Sequence, residues 1–273
     1  MIWAVLFLLG VGFAVPFVIE KRRPEMGPEA REIAPGSFAE LSDGITHFKW
    51  YGPDKGPVLV CIHGLTTPSY VWTPLIPGLV EAGFRVLTYD LFGRGFSDRP
   101  KDPQTREFFI RQLRELLQHQ GVEGPINVIG YSMGGSVATL FAAEEPDRVQ
   151  RLILLAPAGM IHVPGWLAET ARKAPVFGDW LTLAFGGWQL QRGADRMDGP
   201  EDVIADMADR QGYELEFRGY MPAVLSSQRN LLEKPLEEEH RLIATSGVPV
   251  YAIWGHEDSV IPISAMGKLA EWN

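Results

Sequence analysis

Ser132 is the residue whose surroundings most clearly indicate chemistry. It lies in the stretch GYSMG, residues 130–134, which fits the pattern G-x-S-x-G. With a buried strand predicted before it and a helix after it, the pattern indicates a serine nucleophile on a tight strand-to-helix turn. The alternative is a serine that only caps the helix. Because a serine hydroxyl needs a neighbouring base to take its proton, the nucleophile interpretation also requires a histidine.

Two backbone N–H groups are predicted to point toward this serine. His63 and Gly64 end a buried strand, and the turn after them can aim the N–H of Leu65 at a developing oxyanion. The N–H of Met133, at the start of the helix, supplies a second donor. His63 itself is predicted to shape the turn and not to act in catalysis. Leu65 and Met133 are therefore the predicted oxyanion hole.

The elements that must position these residues alternate between strands and helices. Six β-rich runs are predicted to be strands: ITHFKWYG, PVLVCIH, FRVLTYD, INVIGY, RLILLAP and VPVYAIWG. Four of them are nearly continuous apolar runs, as in a mostly parallel sheet that is buried on both faces. Helices are predicted at 105–119 and 133–143, so the fold class is α/β. From Met160 to Ser246 no strand is evident, and amphipathic stretches rich in aromatic residues predict an inserted helical lid.

Length and composition fit one catalytic domain. The chain has 273 residues and a net charge of −9, and it has no basic cluster long enough to follow a phosphate backbone, so nucleic acid is excluded as a partner. The only cysteine, Cys61, is predicted to be a buried strand residue. No metal or organic cofactor is implied. The predicted segments are a membrane anchor at 1–19, a linker at 20–39, the first part of the core at 40–159, the lid at 160–246 and the second part of the core at 247–273.

The first 19 residues are uncharged and long enough to cross a bilayer. A signal peptide should begin with basic residues, but here the charges follow the apolar run, as Lys21, Arg22 and Arg23. The positive-inside rule then predicts a single-pass anchor with the catalytic domain in the cytoplasm. The alternative is export after cleavage of a signal sequence.

Four ordered motifs make residues 40–273 resemble the α/β-hydrolase superfamily, in its capped esterase, lipase and C–C hydrolase branch. The motifs are HG at 63–64, DLFGRGFSD at 90–98, GYSMGG at 130–135 and WGHEDSVIP at 254–262. In the second motif Asp98 stands where a dinucleotide loop needs its third glycine, which argues against a nicotinamide enzyme. Because the nucleophile position holds Ser132 and not aspartate, the similarity to haloalkane dehalogenases and epoxide hydrolases is limited to the fold.

The resemblance implies that Asp258 is the acid that orients the catalytic base. Glu257 competes for this role, but the spacing from Gly255 favours Asp258, and either residue can instead be a solvated loop charge. In this fold the histidine follows the acid, and none follows Asp258. The expectation is a C-terminally truncated hydrolase that lacks its last strand and histidine loop. His256 lies too close to the acid to substitute, and His162 is predicted to line the pocket or lid.

The expected function is that of a membrane-anchored serine hydrolase. Ser132 would form an acyl-enzyme with a small, lipophilic carboxylic ester, and the anchor and the tryptophan-rich lid favour that substrate class. Without a histidine, the 273-residue chain is expected to turn over esters very poorly. A C–C bond hydrolase of the same fold and a non-catalytic, membrane-tethered ligand-binding domain are the alternatives.

Overall fold

A computed structural model describes residues 1–161, 165–195, 204 and 206–273. Its strands are β1 (Ser37–Leu41), β2 (Gly44–Tyr51), β3 (Val58–Ile62), β4 (Arg85–Tyr89), β5 (Ile126–Tyr131), β6 (Val149–Leu155) and β7 (Val250–Ile253). Its α-helices are α1 (Ile2–Arg22), α2 (Pro28–Arg31), α3 (Ile76–Glu81), α4 (Arg106–His119), α5 (Met133–Glu144), α6 (Trp166–Lys173), α7 (Phe177–Leu181), α8 (Gly187–Asp195), α9 (Met207–Glu216), α10 (Tyr220–Arg229), α11 (Glu237–Ser246) and α12 (Ala265–Trp272).

The strands form one seven-stranded sheet in the order β1-β2-β4-β3-β5-β6-β7. The first two strands form a hairpin, and β2 pairs antiparallel with β4. From β4 to β7 all neighbours are parallel. The predicted α/β class with a mostly parallel sheet is confirmed. Strand β7 lies at one edge of the sheet, and no strand in the described part of the chain pairs with its outer side.

Alternation along the central strands sends side chains to two apolar layers. In β3, Val60 and Ile62 face the large cluster that includes α4 and α5, whereas Leu59 and Cys61 face a smaller cluster beside α3. Strand β5 is buried along nearly all of its length. Because both faces of the central strands are covered, their apolar runs are continuous in the sequence. This packing holds the carboxyl ends of β3 and β5 side by side, which is where HG and GYSMGG begin.

The predicted helical lid corresponds to the helices between β6 and β7. A helical turn at Thr182–Gly186 joins α7 to α8, and it presents Leu183 to a cluster with Tyr220 and Leu65. Phe185 of the same turn is exposed, as is Trp188 of α8. These helices therefore contact the core at Leu65 and present aromatic side chains to solvent. His162 lies outside the described residues, and the function of this region as a lid stays a prediction.

Helix α1 continues beyond the predicted anchor to Arg22, and its apolar side chains are exposed. It is long and apolar enough to cross a membrane, a test that a signal sequence also passes. Its last turn is held by the lid, because Glu20 accepts a hydrogen bond from the N–H of Gly219 at 2.6 Å. The segment predicted to be a linker, 20–39, contains regular structure: Met26 is buried, and β1 already begins at Ser37.

Candidate active site

Ser132 occupies a strained turn between β5 and α5. Its backbone has φ 52° and ψ −118°, a conformation that residues other than glycine rarely adopt. The N–H of Ser132 donates to Leu155 O at 2.9 Å, and its carbonyl accepts from Gly135 and Ala158, both at 2.9 Å. A side chain at position 134 would overlap the carbonyl oxygen of Ile62, so the glycine is needed for α5 to start this close to β3. These contacts hold the side chain of Ser132 half-exposed at the end of the sheet.

The two predicted oxyanion donors belong to the segments that border Ser132, the loop after β3 and the start of α5. A Cβ atom on Gly64 would lie 3.4 Å from the Cβ of Ser132, which places the loop after β3 directly against the serine. Met133 is the first residue of α5, so its N–H has no intrahelical acceptor. Within the described ranges neither Leu65 N–H nor Met133 N–H donates to a protein atom. That these two N–H groups bind an oxyanion stays a prediction.

His63 fixes the peptide group that carries the N–H of Leu65. The imidazole is fully buried, with Nδ1 2.8 Å from Gly64 O and Nε2 accepting from Leu91 N–H at 2.8 Å. Burial lowers the pKa of His63 to about 4, so the ring is neutral and its proton lies on Nδ1, where it donates to Gly64 O. A trans peptide points its C=O and N–H in opposite directions. Holding the carbonyl of Gly64 thus directs the N–H of Leu65 the other way, as the structural role predicted for His63 requires.

Asp258 lies in the loop after β7 and is half-buried, whereas Glu257 is exposed. Its Oδ1 accepts hydrogen bonds from the N–H groups of Val260 and Ile261, both at 2.9 Å. Its Oδ2 has no donor among the described residues. Burial, with a contribution from the Asp258 carboxylate, raises the pKa of Tyr131, the residue before the serine. The carboxylate is thus close enough to influence the turn, and it has one oxygen free for a partner.

None of the histidines in the described ranges hydrogen-bonds to Ser132. His119 and His256 are exposed, and His240 is buried against Trp272 with both ring nitrogens unpaired. The structure therefore places the loop after β3 and the start of α5 next to Ser132 and the Asp258 loop near Tyr131, and it brings no described histidine to the serine.

A buried ion pair that was not predicted from the sequence joins β2 to the turn after β4. His47 Nδ1 lies 2.7 Å from Asp90 Oδ2, and His47 Nε2 lies 2.7 Å from Pro35 O. Burial alone would lower the pKa of His47, but the Asp90 carboxylate outweighs it and the pKa is raised. Asp90 also accepts from the N–H groups of Ser69 and Phe96. The position of Asp90 at the start of DLFGRGFSD was the only signal, and nothing nearby in the sequence pointed to His47.

Two cavities lie away from Ser132. They have volumes of about 590 and 530 Å³, and they flank α1 between its last turns, the 98–104 segment and α10. Both include Phe17, Glu20 and Leu183 in their walls. Neither is lined by the serine, so they are not the cavity in which Ser132 would act. In the described part of the chain no group of three His, Cys, Asp or Glu side chains is arranged to hold a metal.

Comparisons with known proteins identify the fold family. A sequence profile of the alpha/beta hydrolase fold matches residues 57–273. The 2-hydroxymuconate semialdehyde hydrolase of Pseudomonas sp. is 26% identical over 254 residues, covering 91% of this chain and 83% of that protein. The enol-lactonase of Burkholderia xenovorans LB400 superposes with a TM-score of 0.69 at 24% identity, covering 86% of this chain and 87% of that one. A bacterial membrane phospholipase A gives a TM-score of 0.70 at 20% identity, covering 99% and 85%. The chain therefore belongs to the alpha/beta hydrolase fold family.

Proposed function

We propose that the protein is a serine hydrolase that cleaves lipophilic carboxylic esters through an acyl-enzyme. The observation that carries the proposal is the strained Ser132 turn, packed against the loop after β3, with the N–H groups of Leu65 and Met133 unpaired among the described residues. Ser132 Oγ attacks the ester carbonyl carbon, and the N–H groups of Leu65 and Met133 bind the resulting oxyanion. The alcohol then leaves, and water releases the acid and restores the serine. The described residues supply no base for the serine proton, and Asp258 is the acid available to orient a histidine.

The lipophilic substrate class is supported by surfaces near the site. Helix α1 is apolar and exposed, and Phe13 stacks on Trp180 of the lid with ring centroids 6.0 Å apart. Phe177 and Phe185 pack on the same tryptophan and are themselves exposed. The fold similarity to the membrane phospholipase A extends over 99% of the chain, so it includes this apolar helix. An ester with an acyl chain suits these surfaces better than a polar substrate does.

The membrane location belongs to the same proposal. Lys21, Arg22 and Arg23 follow the apolar run and favour a cytoplasmic catalytic domain. The protein should pellet with membranes and resist carbonate extraction, and protease should reach the domain only from the cytoplasmic side. Recovery of a soluble exported form that lacks the first residues would contradict the anchor and favour a cleaved signal.

The decisive test is covalent labelling of Ser132 in protein expressed from its full natural gene. A fluorophosphonate probe should label the wild type and fail to label Ser132→Ala. Ser136→Ala is the matched control, because this serine lies one turn further along α5 with a buried, unpaired hydroxyl. Equal labelling of the wild type and Ser132→Ala would remove the serine from the mechanism. Absence of labelling in the wild type would favour the non-catalytic ligand-binding domain.

A C–C bond hydrolase is the second candidate, and the 2-hydroxymuconate semialdehyde hydrolase, which aligns over 91% of the chain, favours it. Both reactions would use Ser132, so the probe does not separate them. Parallel assays with a medium-chain p-nitrophenyl ester and with 2-hydroxymuconate semialdehyde separate the two reactions. Turnover of the semialdehyde with a far higher kcat/KM than the ester would reject the ester proposal.

A further inference from the structure

Three consecutive carbonyl groups of the loop after β3 are each held by a side chain. His63 Nδ1 donates to Gly64 O at 2.8 Å, Arg94 Nε donates to Leu65 O at 3.0 Å, and the hydroxyl of Tyr220 donates to Thr66 O at 2.8 Å. The first contact is local. The other two reach the loop from the turn after β4 and from the first residue of α10, a helix of the lid. The loop that carries the N–H of Leu65 is therefore clamped by the lid as well as by the core.

Arg94 is the bridge between this loop and α10. Its guanidinium is fully buried, and all of its acceptors are uncharged. Besides Leu65 O it donates to Phe92 O and Gln104 Oε1, and on α10 it donates to Ala223 O and Ser227 Oγ. These partners match the five N–H groups of an arginine. Burial lowers the pKa of Arg94 to about 10, so the side chain stays charged near neutral pH.

We propose that Tyr220 and Arg94 are positioning residues through which α10 holds the Leu65 N–H in its orientation toward Ser132. Rotation of the Leu65–Thr66 peptide would break the bond to Arg94, and a shift of Thr66 would break the bond to Tyr220. With both bonds made, the two peptides that follow the Gly64–Leu65 peptide are anchored through α10, so the backbone beyond Leu65 cannot shift to let that peptide leave the orientation that His63 gives it. The oxyanion hole is thus complete only while α10 is seated on the core. This inference rests on the proposed function, because it assigns a part of the same site.

The first test is Tyr220→Phe, which removes one hydroxyl and preserves the ring. Inactivation by a fluorophosphonate is resolved into KI and kinact, because the phosphonyl oxygen occupies the oxyanion position only as the serine bond forms. Loss of one hydrogen bond should lower kinact on the order of 10-fold and leave KI unchanged. Tyr70→Phe is the matched control, since its buried hydroxyl has no partner in the described part of the chain, and kinact should stay at the wild-type value.

Hydrogen exchange gives a readout that does not need a reactive serine. Peptides covering residues 64–67 should exchange faster in Tyr220→Phe than in the wild type, with no change in Tyr70→Phe. Ser227→Ala, which removes an acceptor of Arg94 on α10, should accelerate exchange in the same loop. Unchanged exchange and unchanged kinact in both lid variants would overturn the positioning roles. If the wild type is not labelled but exchange responds as expected, the clamp stands and the proposed function fails.

Discussion

Replacing His47 by leucine should destabilise the protein strongly, because it leaves the Asp90 carboxylate buried without a cation. His47 is 4% exposed and Asp90 1% exposed, so water cannot replace the lost partner. Removing one member of a buried ion pair costs about 3–5 kcal/mol. Two backbone N–H groups still bind the carboxylate, which places the expected loss toward the lower end of this range. For a chain of this size the melting temperature should fall by about 6–12 °C.

The pH dependence of stability tests the same pair. The folded pKa of His47 is raised above 6.5, so its stabilisation is complete below pH 6.5 and is lost as pH rises through the folded value. The pKa of Asp90 is lowered, because the contacts with His47 outweigh its burial, so its stabilisation is lost only as pH falls below 3.8. The difference in melting temperature between the wild type and His47→Leu should therefore be largest between about pH 4 and pH 6.5 and shrink at alkaline pH.

Thermal unfolding in detergent, measured by differential scanning fluorimetry from pH 4 to pH 9, checks both expectations. Arg241→Leu is the control, because it removes an exposed pair with Glu237 on α11 and should cost less than about 1 kcal/mol. A melting temperature for His47→Leu within 2 °C of the wild type would refute the reasoning, because that difference corresponds to a loss of no more than about 1 kcal/mol. So would a difference between the two proteins that does not vary with pH.

Three further predictions concern single buried groups. Burial raises the pKa of Glu214 to about 7 from its ordinary 4.5, so stability should fall as pH rises from 4.5 to 7. The melting temperature of Glu214→Gln should vary less with pH over that interval, and the same dependence in both proteins would contradict this. Burial also raises the pKa of the Cys61 thiol, so Ellman's reagent should react with it only as fast as the protein unfolds, and rapid reaction in the native state would be inconsistent with a closed core. Gly134→Ala should prevent α5 from packing on β3 and yield insoluble protein, whereas Gly124→Ala, with open space around it, should be tolerated, as expression and circular dichroism would show.

Much of the fold could be predicted because its signals are local. The apolar runs of β3 to β6 reflect burial on both faces, and helix α4 shows its buried face through Phe109, Leu113 and Leu117. The G-x-S-x-G turn is predictable for the same reason, since glycine is required where side chains would collide. Strand β1 was missed altogether, because a short edge strand carries little periodicity.

The sequence by itself determined strands β2 to β7, helices α4 and α5, the serine turn and the apolar N-terminal helix, because each depends on residues that are close together in the chain. Only the tertiary structure decided which buried polar groups meet. His47 and Asp90 are 43 positions apart, and Arg94 and Ser227 are 133 apart. No periodicity predicts such pairs, because sheet register and the seating of α10 on the core bring them within hydrogen-bonding distance. Each buried donor then takes whichever acceptor the packing places beside it.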